Sequence, residues 1–290
     1  MQKTLTLIKP KMAITAYNDR GEGSVIVMLN GITRTRKHWF GLDEALAGQH
    51  RVVTCDLLGA GDRSDEANWS LTIDAQADAV IDLLDQLNIE KAHFCGVSLG
   101  GMVTLSLGMR YPERCLSLFV INSSIGSRKS LFSRLSKETY RLIVKGMVTL
   151  QKKPAMLRQT SRLMLGSGCT AELEASIIAK LEEIEQSQPV RLAASLKQLV
   201  AALRFIPGQA LRACAKVPTM VLYGTADRFV PNLNSKMIAA SIPGSELLAM
   251  EGAGHEPMQD RREDLSMRLL HWLMRVEENV APLRGERASG

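Results

Sequence analysis

The stretch AHFCGVSLGGMVTLSLGMRYP, residues 92–112, joins a short apolar run to a longer run with helical spacing. Residues 92–97 are typical of a strand buried on both faces, and the residues after the two central glycines favour a helix. Ser98 stands at the junction, with Gly96 two residues before it and Gly100 two residues after it. Small residues at these places let a strand and a helix approach closely around a strained turn that presents a serine nucleophile. A short match of this kind also arises by chance, and Ser98 would then only cap the helix.

Similar apolar runs alternate with helical patterns along much of the chain. Continuous apolar runs predict buried parallel strands at residues 25–30, 51–56, 92–97 and 115–122, and the strand signals resume at 219–224 and 246–251. Helices are predicted near residues 72–88, 234–241 and 265–279, and an opening hairpin is predicted for residues 4–8 and 12–18. The alternation predicts an α/β fold: a mostly parallel central sheet of about eight strands with helices on both faces.

The alternation stops between residues 124 and 214, where only helical signals occur. We therefore expect a helical cap at 124–214, inserted into a core formed by residues 1–123 and 215–279. The last residues, 280–290, contain too little apolar surface to pack, and we expect a disordered tail there.

Composition indicates a globular protein, with 46% hydrophobic and 23% charged residues among 290. The chain contains no run of roughly 20 apolar residues, so no membrane span is expected. Its first residues also lack the continuous apolar stretch of a signal peptide. The five cysteines are scattered without the close spacing of a metal or redox motif. We therefore expect free thiols, no bound metal and a reducing, cytoplasmic setting.

The net charge of +6 is unevenly distributed, because residues 128–162 contain ten Lys or Arg and a single acid, Glu138. A solvated helix face explains such a run most simply. The alternative is a docking surface for an anionic partner, such as a phosphopantetheine acyl carrier, coenzyme A or a membrane surface. Only Phe132 and Tyr140 offer aromatic rings for base stacking in this stretch, so nucleic-acid binding is not expected.

A serine hydroxyl becomes a useful nucleophile only when a neighbouring base takes its proton. Among the five histidines, His255 in EGAGHEPM follows the last predicted strand in a glycine-bounded loop, where the carboxyl end of a parallel strand presents functional groups. The other four lie in a basic segment, at a turn, in a strand and in the last helix: His38, His50, His93 and His271. His255 is therefore the predicted general base.

An acid that orients the histidine is predicted at Asp227, three residues after Gly224 in YGTADRFVP. The alternative role for this side chain is that of a turn aspartate that caps the helix beginning after Pro231. The order Ser98, Asp227, His255 differs from the orders found on other serine-hydrolase folds. Three signals in this order are more specific than any one of them.

Further motifs around these residues resemble those of the α/β-hydrolase superfamily, in the subgroup with a helical cap after the sixth strand. The matching pieces are LNGITRTRKHW (29–39), CDLLGAGDRS (55–64), GVSLGG (96–101), RYPERCLSLFVINS (110–123), VPTMVLYGTADRFVP (217–231) and GAGHEP (252–257). The resemblance covers nearly the whole chain outside the predicted cap. It implies the α/β-hydrolase fold and a catalytic triad of Ser98, Asp227 and His255.

Two backbone N–H groups are expected to stabilise the oxyanion that forms when the serine attacks an acyl carbon. Leu99, the residue after the nucleophile, is one expected donor. The resemblance implies Ile32 as the other donor. The chain departs from the family pattern at Asn30-Gly31, where relatives commonly have His-Gly, and this leaves the reaction subtype open.

A second departure is the loop DLLGAGDRS, residues 56–64, which is one residue longer than the usual family loop. The resemblance implies that Asp56 braces the site. Ser98 at the strand-to-helix turn excludes the aspartate nucleophile of the dehalogenase and epoxide-hydrolase relatives.

The expected reaction is hydrolysis of a small-molecule carboxylic ester through an acyl-enzyme, without metal or organic cofactor. The main alternative is a thioesterase or acyltransferase for carrier- or CoA-linked acyl groups, since Asn-Gly also occurs in relatives of that kind. Carbon–carbon bond hydrolysis and perhydrolysis use the same triad and stay open. A non-catalytic ligand-binding protein on the same fold is a further alternative.

Overall fold

The structure is a computed structural model that describes residue 14 and residues 16–126, 134–141 and 160–280. Within these residues it contains a seven-stranded sheet, against the predicted number of about eight. The strands are β1 (Tyr17–Arg20), β2 (Val25–Leu29), β3 (Arg51–Cys55), β4 (Ala92–Val97), β5 (Cys115–Ile121), β6 (Thr219–Gly224) and β7 (Glu246–Met250). The predicted strand at residues 4–8 lies outside the described residues.

The strands lie in the order β1-β3-β2-β4-β5-β6-β7. Only the short β1 runs antiparallel, where it pairs with β3, and the other strands are mutually parallel. The last residue of each strand pairs with a residue within two positions of its neighbour's end: Leu29↔Gly96, Val97↔Ile121, Ile121↔Leu222 and Gly224↔Met250. The loops that follow β2, β4, β5, β6 and β7 therefore emerge together at one end of the sheet, called here the carboxyl end.

Eight described helices surround the sheet or belong to the insertion. They are α1 (Leu42–Ala47), α2 (Ile73–Gln86), α3 (Leu99–Arg110), α4 (Ala171–Ser187), α5 (Leu192–Arg204), α6 (Leu233–Ser241), α7 (Pro257–Asp260) and α8 (Arg262–Val280). Further short 3₁₀ turns occur at Gly61–Glu66, Pro112–Arg114 and Gly208–Lys216. The helices predicted near residues 72–88, 234–241 and 265–279 correspond to α2, α6 and α8.

The core forms two layers because successive side chains of a strand point to opposite faces of the sheet. In β2, Val27 and Leu29 pack with residues of α2 and α3, whereas Ile26 and Met28 pack with residues of α1 and α8. Both layers consist mainly of buried apolar side chains, so a strand that serves both must be apolar throughout. This explains why β2, β4 and β5 appear in the sequence as continuous apolar runs.

The predicted helical insertion contains α4 and α5 and short helical stretches at residues 137–141 and 160–164. Thr170 caps α4 by accepting a hydrogen bond from Leu173 N, and Glu172 and Glu174 lie in the first turn of this helix, where negative charge is favourable.

Residues 127–133 and 142–159, which include much of the basic segment, lie outside the described residues. The division into core and cap stays a prediction, as does the disorder of the tail, whose residues 281–290 are not described. None of the described helices is both long enough and apolar enough to cross a bilayer.

Candidate active site

Ser98 occupies the turn between β4 and α3 in a left-handed conformation, with φ 55° and ψ −114°. Few residues other than glycine adopt a positive φ, and such strained positions cluster at functional sites. The flanking glycines allow the turn: a Cβ on Gly96 would lie 2.3 Å from Gly100 O, and a Cβ on Gly100 would lie 2.0 Å from Leu29 O. The close approach expected from the Gly96 and Gly100 spacing is therefore present in the structure.

The turn at Ser98 is held by the end of the neighbouring strand β5. Ser98 N donates to Ile121 O at 2.9 Å, and Ser123 Oγ donates to Ser98 O at 2.7 Å. Ser98 precedes the first residue of α3 and makes no side-chain capping hydrogen bond there. The simple capping role considered for this serine is therefore absent, and its hydroxyl lies at the positive end of the helix dipole.

His255 and Asp227 form a buried hydrogen-bonded pair at the carboxyl end of the sheet. His255 Nδ1 lies 2.8 Å from Asp227 Oδ2, and the two side chains are 2% and 1% exposed. Asp227 Oδ1 accepts from Phe229 N at 2.7 Å and Val230 N at 2.9 Å. One carboxylate oxygen thus closes the turn after β6 and the other faces the histidine, whereas the helix that follows Pro231 begins after Asn232 without a side-chain cap, so the capping role considered from the sequence is absent.

The predicted cap approaches the histidine directly. His255 N donates to Met164 O at 2.6 Å, and the rings of His255 and Phe229 are 4.8 Å apart between centroids. A Cβ on Gly254 would lie 2.1 Å from Met164 O, so the glycine before the histidine is required for this approach. His255 therefore lies between the core and the insertion, largely shielded from water.

The loop after β2 lies against the serine. A Cβ on Gly31 would lie 3.3 Å from Ser98 Cβ, which brings the backbone of this loop beside the nucleophile. Ile32 follows at this point, and Leu99 is the first residue of α3, whose N–H has no intrahelical partner. The buried Asn30 donates from Nδ2 to Thr35 O at 2.9 Å and so closes the loop on itself. Leu99 follows Ser98 and Ile32 follows Gly31 in the chain, and their role as oxyanion donors stays a prediction.

A buried ion pair between two of these loops has no signal in the sequence. Arg34 Nε lies 2.7 Å from Glu256 Oε1, and each side chain is 5% exposed. Arg34 Nη2 also contacts Met164 Sδ at 2.9 Å, and Gln259 Nε2 donates to Glu256 Oε2. Because Glu256 follows His255 in the loop after β7 and Arg34 lies in the loop after β2, the ion pair joins these two loops.

Asp56 braces the same region, as the family resemblance implied. Its fully buried carboxylate accepts from Arg36 N at 2.7 Å and Asp62 N at 3.0 Å and forms an ion pair with the Arg36 guanidinium. Burial raises the pKa of Asp56 above its usual range, and these donors partly offset the effect. The carboxylate therefore holds the loop after β3 against the loop after β2.

Other candidate nucleophiles and bases near the sheet are disfavoured by burial. Burial raises the pKa of Cys95, three residues before Ser98, to about 12, so its thiol is protonated at neutral pH. Burial, with Arg34 next, lowers the pKa of His38 well below its usual value. His38 also closes its own loop, because its Nδ1 accepts from Thr35 N at 3.0 Å. In the part of the chain that the structure describes, no three His, Cys, Asp or Glu side chains are arranged to hold a metal ion.

Comparisons with known proteins agree with this architecture. An uncharacterised protein of Mycobacterium tuberculosis (strain ATCC 25618 / H37Rv) is 25% identical over 93% of this chain and 82% of its own. A 2-hydroxy-6-oxononadienedioate/2-hydroxy-6-oxononatrienedioate hydrolase of Escherichia coli (strain K12) is 26% identical over 89% of this chain and 90% of its own. Among solved structures, a thermophilic esterase from Thermogutta terrifontis superimposes with a TM-score of 0.71 at 22% identity, covering 90% of this chain and 93% of its own. The profile of the α/β-hydrolase fold matches residues 24–261. The chain therefore belongs to the α/β-hydrolase fold family.

Proposed function

We propose that this protein is a serine hydrolase that cleaves a carboxylic ester through an acyl-enzyme intermediate. The observation that carries the proposal is the joint placement of Ser98 on a left-handed turn and of a buried His255–Asp227 pair, 2.8 Å apart, at the same end of the sheet. Because Asp227 Oδ2 accepts from Nδ1–H of His255, Nε2 carries the lone pair that a general base needs.

In the first half-reaction His255 takes the proton of Ser98 as its oxygen attacks the acyl carbon. The N–H groups of Ile32 and Leu99 stabilise the negative charge on the acyl oxygen, a contribution of about 3 kcal/mol per donor. His255 then gives its proton to the departing alcohol. In the second half-reaction the same nitrogen activates water, which releases the acid and restores Ser98.

A second candidate reaction is the hydrolysis of a 2-hydroxy-6-oxo acid, the class named for the Escherichia coli relative. Such a substrate contains no ester, so its hydrolysis breaks a carbon–carbon bond. The coverage of 89% of this chain and 90% of the relative favours this candidate over others that use the same triad. A substrate panel that contains both classes separates the two reactions.

The alternative of carrier- or CoA-linked acyl groups rests on Asn30-Gly31 and on the basic segment. Within its described part, Arg134 is buried and donates to the carbonyl oxygens of Ala202 and Phe205, and Arg162 pairs with Glu174 at 2.9 Å. Arg134 is thus committed inside the fold, and Arg162 is paired with an acid although its side chain is 73% exposed, which leaves fewer unpaired charges for an acidic carrier. The five cysteines are free, four of them buried, which supports the proposed reducing, cytoplasmic setting.

The test measures hydrolysis of p-nitrophenyl esters across acyl chain lengths, with CoA thioesters and a 2-hydroxy-6-oxodienoic acid as parallel substrates. Wild type and Ser98→Ala are compared side by side. Turnover of esters that Ser98→Ala abolishes supports the proposal. If wild type turns over only thioesters or only the oxo acid, that reaction takes the place of ester hydrolysis as the proposed function. A biological activity that survives Ser98→Ala supports a ligand-binding protein instead.

A further inference from the structure

Asn122 lies where the three loops of the proposed triad meet. It follows the last residue of β5, its side chain is buried with 1% of the residue exposed, and its φ is 46°. Asparagine tolerates this left-handed conformation better than most residues do. The sequence prediction treated Asn122 only as the final residue of a strand and gave it no role.

The amide of Asn122 connects the acid turn to the histidine loop. Its Nδ2 donates to Gly254 O at 2.9 Å and to His255 O at 2.8 Å, and its Oδ1 accepts from Gly224 N at 2.9 Å. Two carbonyl oxygens on one side and an N–H on the other fix the orientation of the amide, because the opposite orientation would oppose like partners. All three hydrogen bonds are buried, so water cannot take the place of the amide if it is removed.

The backbone around Asn122 connects the same region to the nucleophile. Ile121, the preceding residue, accepts from Ser98 N, and Ser123, the following residue, donates to Ser98 O. Three consecutive residues at the end of β5, 121–123, thus contact the turn at Ser98, the strand end before Asp227 and the backbone of His255. Asn122 is the member of this group whose side chain reaches both the acid and the histidine loops.

We propose that Asn122 is a positioning residue that sets the distance of His255 from Ser98 and from Asp227. The inference rests on the proposed function. Without the amide donors, two buried carbonyl oxygens at the histidine lose their partners, and the loop after β7 must move to regain them. Proton transfer from Ser98 to His255, whose ring Asp227 orients, requires hydrogen-bond distances, so a shift of about 1 Å lowers the rate on the order of 100-fold.

The experiment compares Asn122→Asp and Asn122→Gly with wild type, Ser98→Ala and a control, Ser117→Ala. An ionised Asp keeps the size and the acceptor of Asn but cannot donate to the carbonyl oxygens, and Gly removes the side chain without straining the positive φ. Ser117 lies on the same strand β5, is buried and hydrogen-bonds with His93 Nδ1 at 2.8 Å, far from the site. Its variant therefore loses one buried hydrogen bond at the other end of the sheet.

Two readouts are measured at pH 8: kcat and KM for p-nitrophenyl acetate, and the downfield proton NMR signal of the His255 Nδ1–H, identified by its loss in His255→Ala. Both Asn122 variants are expected to lower kcat about 100-fold with KM changed less than about threefold, and to shift or broaden the proton signal. Ser117→Ala is expected to lose stability while keeping the wild-type kcat and signal.

The inference is overturned if folded Asn122 variants keep the wild-type kcat and proton signal, or if Ser117→Ala loses as much activity as they do. If wild type cleaves no ester at all, the proposed function fails while the proton signal still tests the role of Asn122. If wild type cleaves esters and Ser98→Ala does not, the proposed function stands whatever the Asn122 variants show.

Discussion

Both ends of the sheet contain a serine together with a paired histidine and acid. At the carboxyl end, His255 and Asp227 are paired at 2.8 Å, and Ser98 lies on the turn that follows β4. At the amino end, Ser117 Oγ lies 2.8 Å from His93 Nδ1, and His93 Nε2 lies 3.3 Å from Glu277 Oε1. The residue types alone do not distinguish the two sets.

The backbone distinguishes them. Ser117 sits inside the regular strand β5 and is 1% exposed, so no substrate reaches its hydroxyl, and no helix begins there to supply free N–H groups. Ser98 leaves its strand on a left-handed turn at the start of α3, with a second loop beside it. A hydroxyl, an imidazole and a carboxylate form a catalytic set only under two further conditions. A strained backbone turn must present the nucleophile, and preorganised N–H donors must be in place to stabilise the oxyanion.

The largest expected difference between the two ends concerns the serines. Ser98→Ala is expected to lower kcat for p-nitrophenyl esters by about 10⁵- to 10⁶-fold, because the covalent route is lost. Ser117→Ala is expected to leave kcat within about twofold, because this serine touches no reacting group. Steady-state kinetics on the two purified variants measure both effects. Equal losses in the two variants would contradict the assignment of the site to the carboxyl end.

Substitution of the acid is expected to have the next largest effect on kcat. Asp227→Asn is expected to lower kcat by about 10⁴-fold, because an amide no longer holds the histidine in the tautomer and orientation that accept the serine proton. Glu277→Gln at the amino end is expected to keep the wild-type kcat. The same kinetic assay checks both variants, and full activity in Asp227→Asn would show that another group orients His255.

The ion pair between Arg34 and Glu256 is tested by its contribution to the free energy of unfolding, against that of a surface ion pair. Glu256→Gln leaves the buried Arg34 guanidinium without its countercharge and is expected to cost about 3 to 5 kcal/mol of unfolding free energy. The matched control is Glu246→Gln, since Glu246 pairs with Arg275 at 2.7 Å but both side chains are at least 40% exposed, so its expected cost is below about 1 kcal/mol. Urea unfolding measures the two costs. Equal costs would mean that the ion pair beside the site contributes no more than a surface pair.

The smallest predicted effect is a pH dependence that originates at the amino end. Burial lowers the pKa of His93 from 6.5 to about 4, while Glu277 raises it and His50 lowers it to smaller extents. Below pH 6.5 the unfolded chain binds a proton that the folded protein does not, so stability falls as the pH falls toward 4, by about 3 kcal/mol for this residue.

Urea unfolding between pH 7.5 and pH 4 tests this dependence, with His93→Gln as the comparison because glutamine does not titrate. Wild type is expected to lose about 3 kcal/mol more than His93→Gln over this range. Parallel stability curves for the two proteins would show that His93 binds its proton equally well in the folded and unfolded states.

The sequence predicted six strands to within one residue at their ends, from 25–30 for β2 to 246–251 for β7. Strands buried on both faces must be apolar throughout, so β2, β4 and β5 leave an unambiguous pattern. The proposed triad residues could be predicted because each follows a strand in a glycine-containing turn, and parallel strands bring such turns to one end. The predicted strand at 12–18 overlaps β1 only at Tyr17 and Asn18, since a short antiparallel strand that is only half buried leaves a weak pattern.

The supporting residues could not be found in the same way. Arg34 and Glu256 are 222 residues apart in the chain, and a single sequence contains nothing that pairs them. Asn122 looks like the end of a strand until the Gly224 and Gly254 backbones are placed around it. Arg134 was counted as part of a basic surface segment, yet its guanidinium is buried and burial lowers its pKa to about 10. Each of these roles arises from tertiary contacts alone.

The central claim is that Ser98 is the nucleophile, and covalent labelling tests it most directly. The protein is incubated with an alkyl fluorophosphonate, which reacts with activated serines, and the modified peptide is identified by mass spectrometry. The account predicts one adduct, on Ser98, that is absent in Ser98→Ala, forms much more slowly in Asp227→Asn and forms at the wild-type rate in Ser117→Ala. An adduct on another serine, or equal labelling of wild type and Ser98→Ala, would contradict it.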